Sequence, residues 1–126
     1  MKKANIPENH QTVMTHVIVN NADAFISFTQ NVFGARLTHK TMRDETIIIH
    51  AEIMIGVSTI MFADATGEFK ERPATFFVYV ENADETFKKA LDAGATSLRE
   101  VGDQPYGRSG GVADPFGNQW WVTSLK

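Results

Sequence analysis

Residues 105–122 read PYGRSGGVADPFGNQWWV. Proline fixes φ and glycine allows positive φ, so this stretch predicts a glycine-rich turn over Gly107–Gly111, a short strand, and a tight turn over Asp114–Asn118 before a closing strand. Alternation along the closing strand places Trp120 on one face and Trp121 on the other. The chain is therefore predicted to end in a β-hairpin whose two faces have different environments.

A two-fold repeat extends this pattern over most of the chain. The VxVxNAD pattern of Val17–Asp23 recurs 61 residues later as Val78–Asp84, and Gly34 recurs 60 residues later as Gly94. Each copy predicts a strand, a helix with an asparagine N-cap, a glycine at the helix end and further strands. One such unit has too little core to stand alone, so the repeat predicts an α+β fold of two βαβββ modules.

The repeat also sets the predicted boundaries. Module one covers about residues 12–63, a linker about 64–73, and module two about 74–124, all within a single domain over residues 1–126. The strands predicted in module one are Thr12–Val19, Arg36–Met42, Thr46–Ile55 and Val57–Ala63.

Alternation divides the strand residues between a helix-facing side and an open side. On the first strand Val13, Val17 and Val19 are predicted to face the helix side. On the third strand Ile49 is assigned to the helix side together with Ile47, Ala51, Ile53 and Ile55, whereas the open side receives Ile48, His50, Glu52 and Met54. The residues predicted to be buried between helix and sheet are Val17, Val19, Phe25, Val78, Val80 and Leu91.

The composition narrows the classes of function. The 126 residues carry a net charge of −3 and include no cysteine. The lack of cysteine excludes disulfides, thiolate nucleophiles and cysteine-ligated metal sites, and the mild negative charge gives no footprint for nucleic acid or an anionic membrane. No segment has the character of a membrane span or a secretion signal, so a cytoplasmic protein without nucleic-acid or membrane partners is expected.

Five motifs, in order along the chain, resemble a known family. They are NVFGA at Asn31–Ala35, HAE at His50–Glu52, LDAGA at Leu91–Ala95, YGRSGG at Tyr106–Gly111 and DPFGNQWW at Asp114–Trp121. Together with the repeat, this ordered set resembles the vicinal oxygen chelate superfamily, which includes glyoxalase I, extradiol dioxygenases and fosfomycin- and bleomycin-resistance proteins. The set looks most like the PhnB-like branch of that superfamily.

The resemblance implies a curved, cup-shaped mixed sheet, often completed by a homodimer, that holds a small molecule. In the metal-using members four stations bind a divalent cation, and the resemblance places these stations at Met14, Met61, Thr75 and Trp121. None is a histidine or carboxylate, and thioether, hydroxyl and indole groups do not form a site for such a cation. No metal and no other cofactor is therefore expected.

The open side of the strands supplies the candidate ligand-binding residues. Apolar and aromatic side chains with a few polar groups are typical of a small-molecule pocket, although the same residues could instead plug a core or pair across a dimer. Arg108 is included because an arginine in a glycine-rich loop can clamp an anion. The predicted ligand-binding residues are Met14, His16, His50, Glu52, Met61, Thr75, Phe77, Tyr79, Arg108 and Trp121.

Two functions follow from these residues, and the sequence leaves both open. The first is a metal-independent binding protein for a partly aromatic small molecule. The second is an isomerase, lyase or oxygenase in which His16, His50, Glu52 or Tyr79 transfers protons, with or without a divalent metal held at a displaced site by the histidines and Glu52. Fold does not choose between them, because one superfamily supports many chemistries on the same framework.

Overall fold

The computed structural model describes residues 2–125 of the chain. Its strands form two four-stranded sheets, with the orders β1-β4-β3-β2 and β5-β8-β7-β6. The edge strands β1 and β5 run parallel to their neighbours β4 and β8. All other adjacent strands are antiparallel. The elements are β1 (Thr15–Val19), α1 (Ala22–Phe33), β2 (Arg36–Met42), β3 (Ile48–Ile55), β4 (Ser58–Asp64), β5 (Thr75–Tyr79), α2 (Ala83–Asp92), β6 (Thr96–Gln104), β7 (Gly107–Ala113) and β8 (Gln119–Ser124).

This element order confirms the prediction of two βαβββ modules. The chain forms two compact units, each containing one sheet. The first unit comprises the chain up to Arg72 without Asn31–Phe33, and the second comprises Asn31–Phe33 together with the chain from Pro73 onward. No helix within residues 2–125 has both the length and the apolar character needed to cross a bilayer.

Both helices begin at the asparagines of the repeated pattern. The side chain of Asn21 accepts a hydrogen bond from the amide of Ala24, and Asn82 accepts one from Glu85. Each bond satisfies one of the amides that the first helical turn leaves without a partner. At the other end of α1, Gly34 has a φ of 66°, a left-handed conformation that favours glycine.

The core of the first unit lies between α1 and one face of its sheet. Val17 and Val19 of β1 are buried, as predicted, and the ring of Phe25 packs 5.0 Å from that of Phe62. Val13, however, precedes β1 and is 80% exposed, so its predicted place on the buried face is wrong. The segment before β1 is instead held by hydrogen bonds between the side chain of Gln11 and the backbone of Thr59.

A β-bulge changes the alternation of β3. Thr41 lies opposite His50 and Met42 opposite Ile48, which leaves Ile49 as the extra residue. Ile48 is consequently fully buried and Ile49 is 47% exposed. The prediction that Ile49 faces the core and Ile48 the open side is therefore wrong, because simple alternation cannot register an inserted residue.

The core of the second unit is built around Trp120, which is fully buried. Its ring packs 4.2 Å from that of Phe76 and 4.7 Å from that of Phe33. The indole Nε1–H donates to Asp114 Oδ2 at 2.8 Å, while Asp114 Oδ1 accepts the amides of the tight turn that follows β7. Asp114 therefore joins the turn to the core, and Trp120 lies on the helix side as the alternation predicts.

Three predictions for the second unit need correction. Residues Gly107–Ala113 form the strand β7, so the glycine-rich turn is wrong and the reversal occurs before Gly107 instead. Leu91 is 36% exposed rather than buried, because the inner face of α2 is made by Phe87 and two small alanines. Val78 on β5 and Val80 just after it are only half-buried rather than buried, since β5 lies at the edge of its sheet.

Candidate functional site

The open face of the first sheet carries a histidine–carboxylate cluster. Glu52 lies on β3, with His10 Nε2 2.7 Å from its Oε1 and His50 Nε2 2.8 Å from its Oε2. The Glu52 side chain is 13% exposed, so both carboxylate oxygens meet their partners in a largely buried position. The structure therefore pairs His50 with Glu52, and it adds His10 as a second partner.

Two further histidines lie against this cluster. The ring of His16 on β1 stacks on His50 with centroids 5.8 Å apart, and the ring of His39 on β2 lies 5.7 Å from His50. The chain contains four histidines, and all of them gather on this face. Pairing of adjacent strands explains the gathering, because His39 lies opposite Glu52 and His16 opposite Met61, which in turn pairs with Glu52.

The surroundings change the pKa of two members of the cluster. Burial raises the pKa of Glu52, but hydrogen bonds from His50 and His10 outweigh it and hold the value below the ordinary one. Partial burial, followed by the repulsion of nearby His50, lowers the pKa of His16. Glu52 is therefore ionised and His16 neutral at pH 7, an arrangement suited to accepting protons.

The cluster does not have the geometry of a metal centre. Within residues 2–125 no three histidine, aspartate or glutamate side chains come together as a group that could hold a metal ion. The two histidines bonded to Glu52 approach different oxygens of the carboxylate. The chemistry that the arrangement offers directly is hydrogen bonding and proton transfer.

A cavity of about 460 Å³ opens on the same unit, next to His16. Ile18 and Ala63 lie opposite each other on β1 and β4, and they form its floor together with Ile49. Arg43 from the β2–β3 turn and Phe69 from the segment after β4 also line it. Of the predicted site residues, His16 is the one that lines this cavity.

The open face of the second sheet is aromatic instead. Phe77 on β5 pairs directly with Trp121 on β8, so both side chains project from the same face. The ring of Phe77 packs edge-on against Tyr79 at 5.4 Å and against Tyr106 at 6.0 Å. Phe77 is 52% exposed and Tyr79 70% exposed. We call these four side chains, Phe77, Tyr79, Tyr106 and Trp121, the aromatic face.

A glycine gives Trp121 its position. Gly111 of β7 pairs with Trp121, and a Cβ at residue 111 would lie 2.6 Å from the indole ring. The indole therefore lies flat over the backbone of β7, where only glycine leaves room for it. Its Nε1–H donates to Gln119 at 3.4 Å. The half-buried ring keeps one side available for contact.

The remaining predicted residues lie in three different settings. Met14 precedes β1, and its sulfur accepts a hydrogen bond from the amide of Gln11, while Met61 lies on β4. Thr75 begins β5 opposite Gln119. Met14 and Met61 belong to the first unit and Thr75 and Trp121 to the second, so their convergence on one pocket stays a prediction.

Arg108 lies on β7 and is engaged in ion pairs. Its guanidinium donates to both oxygens of Asp84, including a bond of 2.9 Å from Nη2, and to Asp103 at 3.1 Å. An anionic ligand would have to compete with two carboxylates for this side chain. Its role in ligand binding therefore stays a prediction without geometric support.

Several residues of these faces were not found by sequence reasoning. His10 lies in a polar leading segment, and its pairing with Glu52 spans 42 residues, so no local pattern marks it. Simple alternation assigned Ile49 to the wrong face, because it does not account for the bulge. Phe69 lies in a connector whose sequence has no periodicity. Tyr106, which immediately precedes the glycine-rich segment, was part of a quoted motif but received no role.

Comparisons with known proteins agree with this architecture. A model of the Glyoxalase/Bleomycin resistance protein/Dioxygenase superfamily matches residues 10–122. An uncharacterised protein of Mycobacterium bovis is 32% identical, over 83% of this chain and 77% of its own length.

Two solved structures have the same fold. TioX from Micromonospora sp. superposes with a TM-score of 0.71 at 23% identity, covering 92% of this chain and 97% of TioX. The PhnB protein of Bacillus cereus, described as a putative 3-demethylubiquinone-9 3-methyltransferase, gives a TM-score of 0.74 at 22% identity over 91% of this chain and 100% of its own. At these identities the likeness establishes the fold alone. The matched residues and the fold together show that the chain belongs to the glyoxalase/bleomycin resistance protein/dioxygenase superfamily.

Proposed function

We propose that this chain is a metal-independent small-molecule binding protein of the PhnB-like branch, and that the aromatic face holds a partly aromatic ligand. The observation that carries the proposal is the exposure of Phe77, Tyr79 and Tyr106 around the half-buried indole of Trp121. Large aromatic side chains left in solvent at one place are typical of a binding surface.

The geometry of this face favours a planar ligand. Trp121 lies flat over Gly111, and the rings of Tyr79 and Tyr106 stand edge-on to Phe77. A planar molecule can stack on the indole while its edges meet the neighbouring rings, and such aromatic contacts contribute roughly 0.5–1.5 kcal/mol each beyond burial.

The proposal is metal-independent because of the side chains at the four stations. The four stations implied by the resemblance are occupied by two thioethers, a hydroxyl and an indole. These groups are poor ligands for the hard or borderline divalent cations that the superfamily uses. Likeness in fold to the PhnB protein of Bacillus cereus supports the placement in that branch.

The test combines metal analysis with ligand screening. Protein purified without chelator or added metal is analysed by plasma mass spectrometry and then screened by thermal shift against planar aromatic compounds. We expect no stoichiometric metal and stabilising compounds whose effect disappears in Trp121→Ala. Leu91→Ala, which shortens an exposed apolar side chain on α2, is the matched control and should retain binding. Stoichiometric metal, or full binding by Trp121→Ala, would contradict the proposal.

The histidine–carboxylate cluster favours the second candidate function, an isomerase, lyase or oxygenase. His50 Nε2 is bonded to Glu52, and Nδ1 has no hydrogen-bond partner among residues 2–125. A carboxylate that orients one nitrogen while the other faces a reactant is a common general-base arrangement. Turnover of a bound compound that is lost in His50→Gln, with binding retained, would favour this function over binding alone.

A cytoplasmic homodimer completes the proposal. β5 is an edge strand of the second sheet and carries the exposed side chains of Phe77 and Tyr79, features that suit association with another copy. Light scattering at micromolar concentration should give twice the chain mass of 14.0 kDa. A particle of the mass of one chain would remove the dimer from the proposal without affecting ligand binding.

A further inference from the structure

We propose that the cavity of the first unit is a second binding site, which accepts an uncharged, mainly apolar small molecule bearing one polar group that hydrogen-bonds to His16. This site goes beyond the proposed function, because every residue that lines it belongs to the first unit and none belongs to the aromatic face.

The cavity is held open by two hydrogen-bonded turns. In the β2–β3 turn, Asp44 Oδ1 accepts the amides of Thr46 and Ile47, and the amide of Arg43 donates to the carbonyl of Ile47 at 2.8 Å. These bonds fix Arg43 and Ile47, which both line the cavity. The same amides, followed by Arg43, hold the pKa of Asp44 well below its usual range, so the turn stays formed near neutral pH.

The second turn positions Phe69. Thr66 and Phe69 exchange two hydrogen bonds: the amide of Thr66 donates to the carbonyl of Phe69 at 2.8 Å, and the amide of Phe69 donates to the Thr66 hydroxyl at 3.0 Å. These bonds fix the backbone of Phe69 beside the cavity, and its side chain stays 59% exposed. An exposed aromatic side chain beside an apolar cavity is available to a ligand.

The charges around the cavity favour an uncharged ligand. Both oxygens of Asp64 accept backbone amides, from Ala22 at 2.7 Å and Ile48 at 2.8 Å, so this carboxylate serves the fold. Arg43 donates from Nε to Asp44 at 3.1 Å, which compensates its charge locally. With Asp64 and Arg43 engaged in this way, the charge that remains is the carboxylate of Glu68 at the exposed rim, which disfavours an anion.

His16 is the polar group left for a ligand. No hydrogen bond joins its imidazole to another residue in the part of the chain that the structure describes. Its lowered pKa keeps the ring neutral at pH 7, so one nitrogen donates and the other accepts. The groups facing it are His50 on β3 and, through His50, Glu52. A hydroxyl or amide on the ligand can therefore pair with His16.

The size of the cavity fits a small organic molecule. Its volume of about 460 Å³ falls within the range of roughly 300–1,000 Å³ that is usual for ligand pockets. Its apolar walls, Ile18, Ile47, Ile49, Ala63 and Phe69, would supply the main driving force through burial.

The test uses a matched pair of probes, 2-naphthol and 2-naphthoate, at about pH 7.5, where a phenolic hydroxyl is protonated and a carboxyl ionised. Binding is followed by NMR of isoleucine δ1-methyl groups in the full chain. We expect 2-naphthol to shift the methyl signals of Ile18, Ile47 and Ile49, and to leave the buried Ile26, Ile53 and Ile60 unchanged. We expect 2-naphthoate to bind at least about 5-fold more weakly, since the rim carries Glu68 and no free cation.

Two variants test the contacts, each with a control. His16→Phe keeps a ring but removes the hydrogen bond, and should weaken 2-naphthol binding about 5-fold, whereas His39→Phe on the same face should not. Phe69→Ala should also weaken binding, while Val57→Ala, at a side chain 92% exposed and outside the cavity, should not. None of the four side chains is part of the buried core, so the variants are expected to fold.

The outcomes separate this inference from the proposed function. Isoleucine shifts without movement of the Trp121 indole N–H would support the cavity site alone. Movement of the Trp121 signal without isoleucine shifts would overturn the cavity site and leave the aromatic face standing. The cavity site would also be overturned by unchanged affinity in His16→Phe or by tighter binding of 2-naphthoate than of 2-naphthol. Isoleucine shifts that depend on protein concentration in the absence of probe would overturn it as well, because they would show that a second copy covers the cavity.

Discussion

The two units have the same strand and helix order but open faces of opposite chemistry. In the first, four histidines gather around Glu52, whereas in the second, Phe77, Tyr79, Tyr106 and Trp121 stand together in solvent. The shared residues of the repeat, the valines and the asparagine caps, serve the helix-facing core and the helix ends. The repeated residues therefore belong to the shared framework, whereas the residues of the open faces differ between the two units.

The units also differ in how many donors an aspartate at the end of a strand accepts. Asp64 ends β4 and accepts two backbone amides, whereas Asp114 follows β7 and accepts four donors, including the indole of Trp120. The hairpin that carries Trp121 is therefore tied to one carboxylate by more hydrogen bonds than the end of β4. On β8 the core residue Trp120 and the open-face residue Trp121 are adjacent.

The largest expected effect separates the two tryptophans. Trp120→Ala removes a fully buried ring and one of the four donors to Asp114, and should lower the free energy of unfolding by about 3–5 kcal/mol. Trp121→Ala should cost less than about 1 kcal/mol, because its ring is only half-buried. Urea denaturation measures both. Equal costs would show that the two faces of β8 are not different environments.

The two aspartates give the next effect. Asp114→Ala removes the acceptor of the amides of Phe116 and Asn118 and of the indole N–H, and should cost at least about 2 kcal/mol. Asp64→Ala loses two amide bonds and should cost about half as much. The same denaturation series compares them. A larger loss of unfolding free energy in Asp64→Ala than in Asp114→Ala would contradict the claim that Asp114 stabilises its unit more strongly.

Acid should affect the first unit in two steps of smaller size. The folded pKa of His16 lies below the ordinary 6.5, so its contribution is complete above pH 6.5 and is lost as pH falls below that value. The folded pKa of Glu52 lies below 4.5, so its contribution is present above pH 4.5 and is lost as pH falls towards the folded value.

Two variants assign these steps. Unfolding free energies measured from neutral to acid pH should lose the upper step in His16→Phe and the lower step in Glu52→Gln. Trp121→Ala, in the other unit, should retain both. A pH profile of His16→Phe parallel to that of the unmodified chain would contradict the assignment.

The smallest effect on stability is expected at Gly111. A methyl group there would lie 2.6 Å from the Trp121 ring, and the half-buried indole can tilt away, so Gly111→Ala should cost less than about 1 kcal/mol. The displaced ring should nevertheless weaken binding of a planar aromatic compound several-fold. Calorimetric titration checks this, and unchanged affinity would show that the flat placement of Trp121 has no part in binding.

The sequence predicted the framework well because its signals are local. Asn21 and Asn82 cap their helices through side chains within three residues, and Trp120 is placed by simple alternation. It failed where an inserted residue or a distant contact decides the outcome. Ile49 changes face through a bulge that depends on the partner strand, and His10 reaches Glu52 across 42 residues.

The candidate site was predicted only in part for the same reason. The pairing of His50 with Glu52 follows from alternate positions on one strand, and the shared face of Phe77 and Trp121 from strand alternation. The cavity depends on Phe69 and Arg43, which two turns of irregular backbone bring to the sheet. No periodicity in the sequence marks such turns as walls of a site.

One measurement tests the central claim, that Trp121 binds an aromatic ligand without metal. The chain has two tryptophans, so its NMR spectrum contains two indole N–H signals, one from buried Trp120 and one from Trp121. In EDTA-treated protein, titration with planar aromatic compounds should move the Trp121 signal and leave that of Trp120 in place. Movement that appears only after a divalent cation is added, or a Trp121 signal that no such compound moves, would contradict the claim.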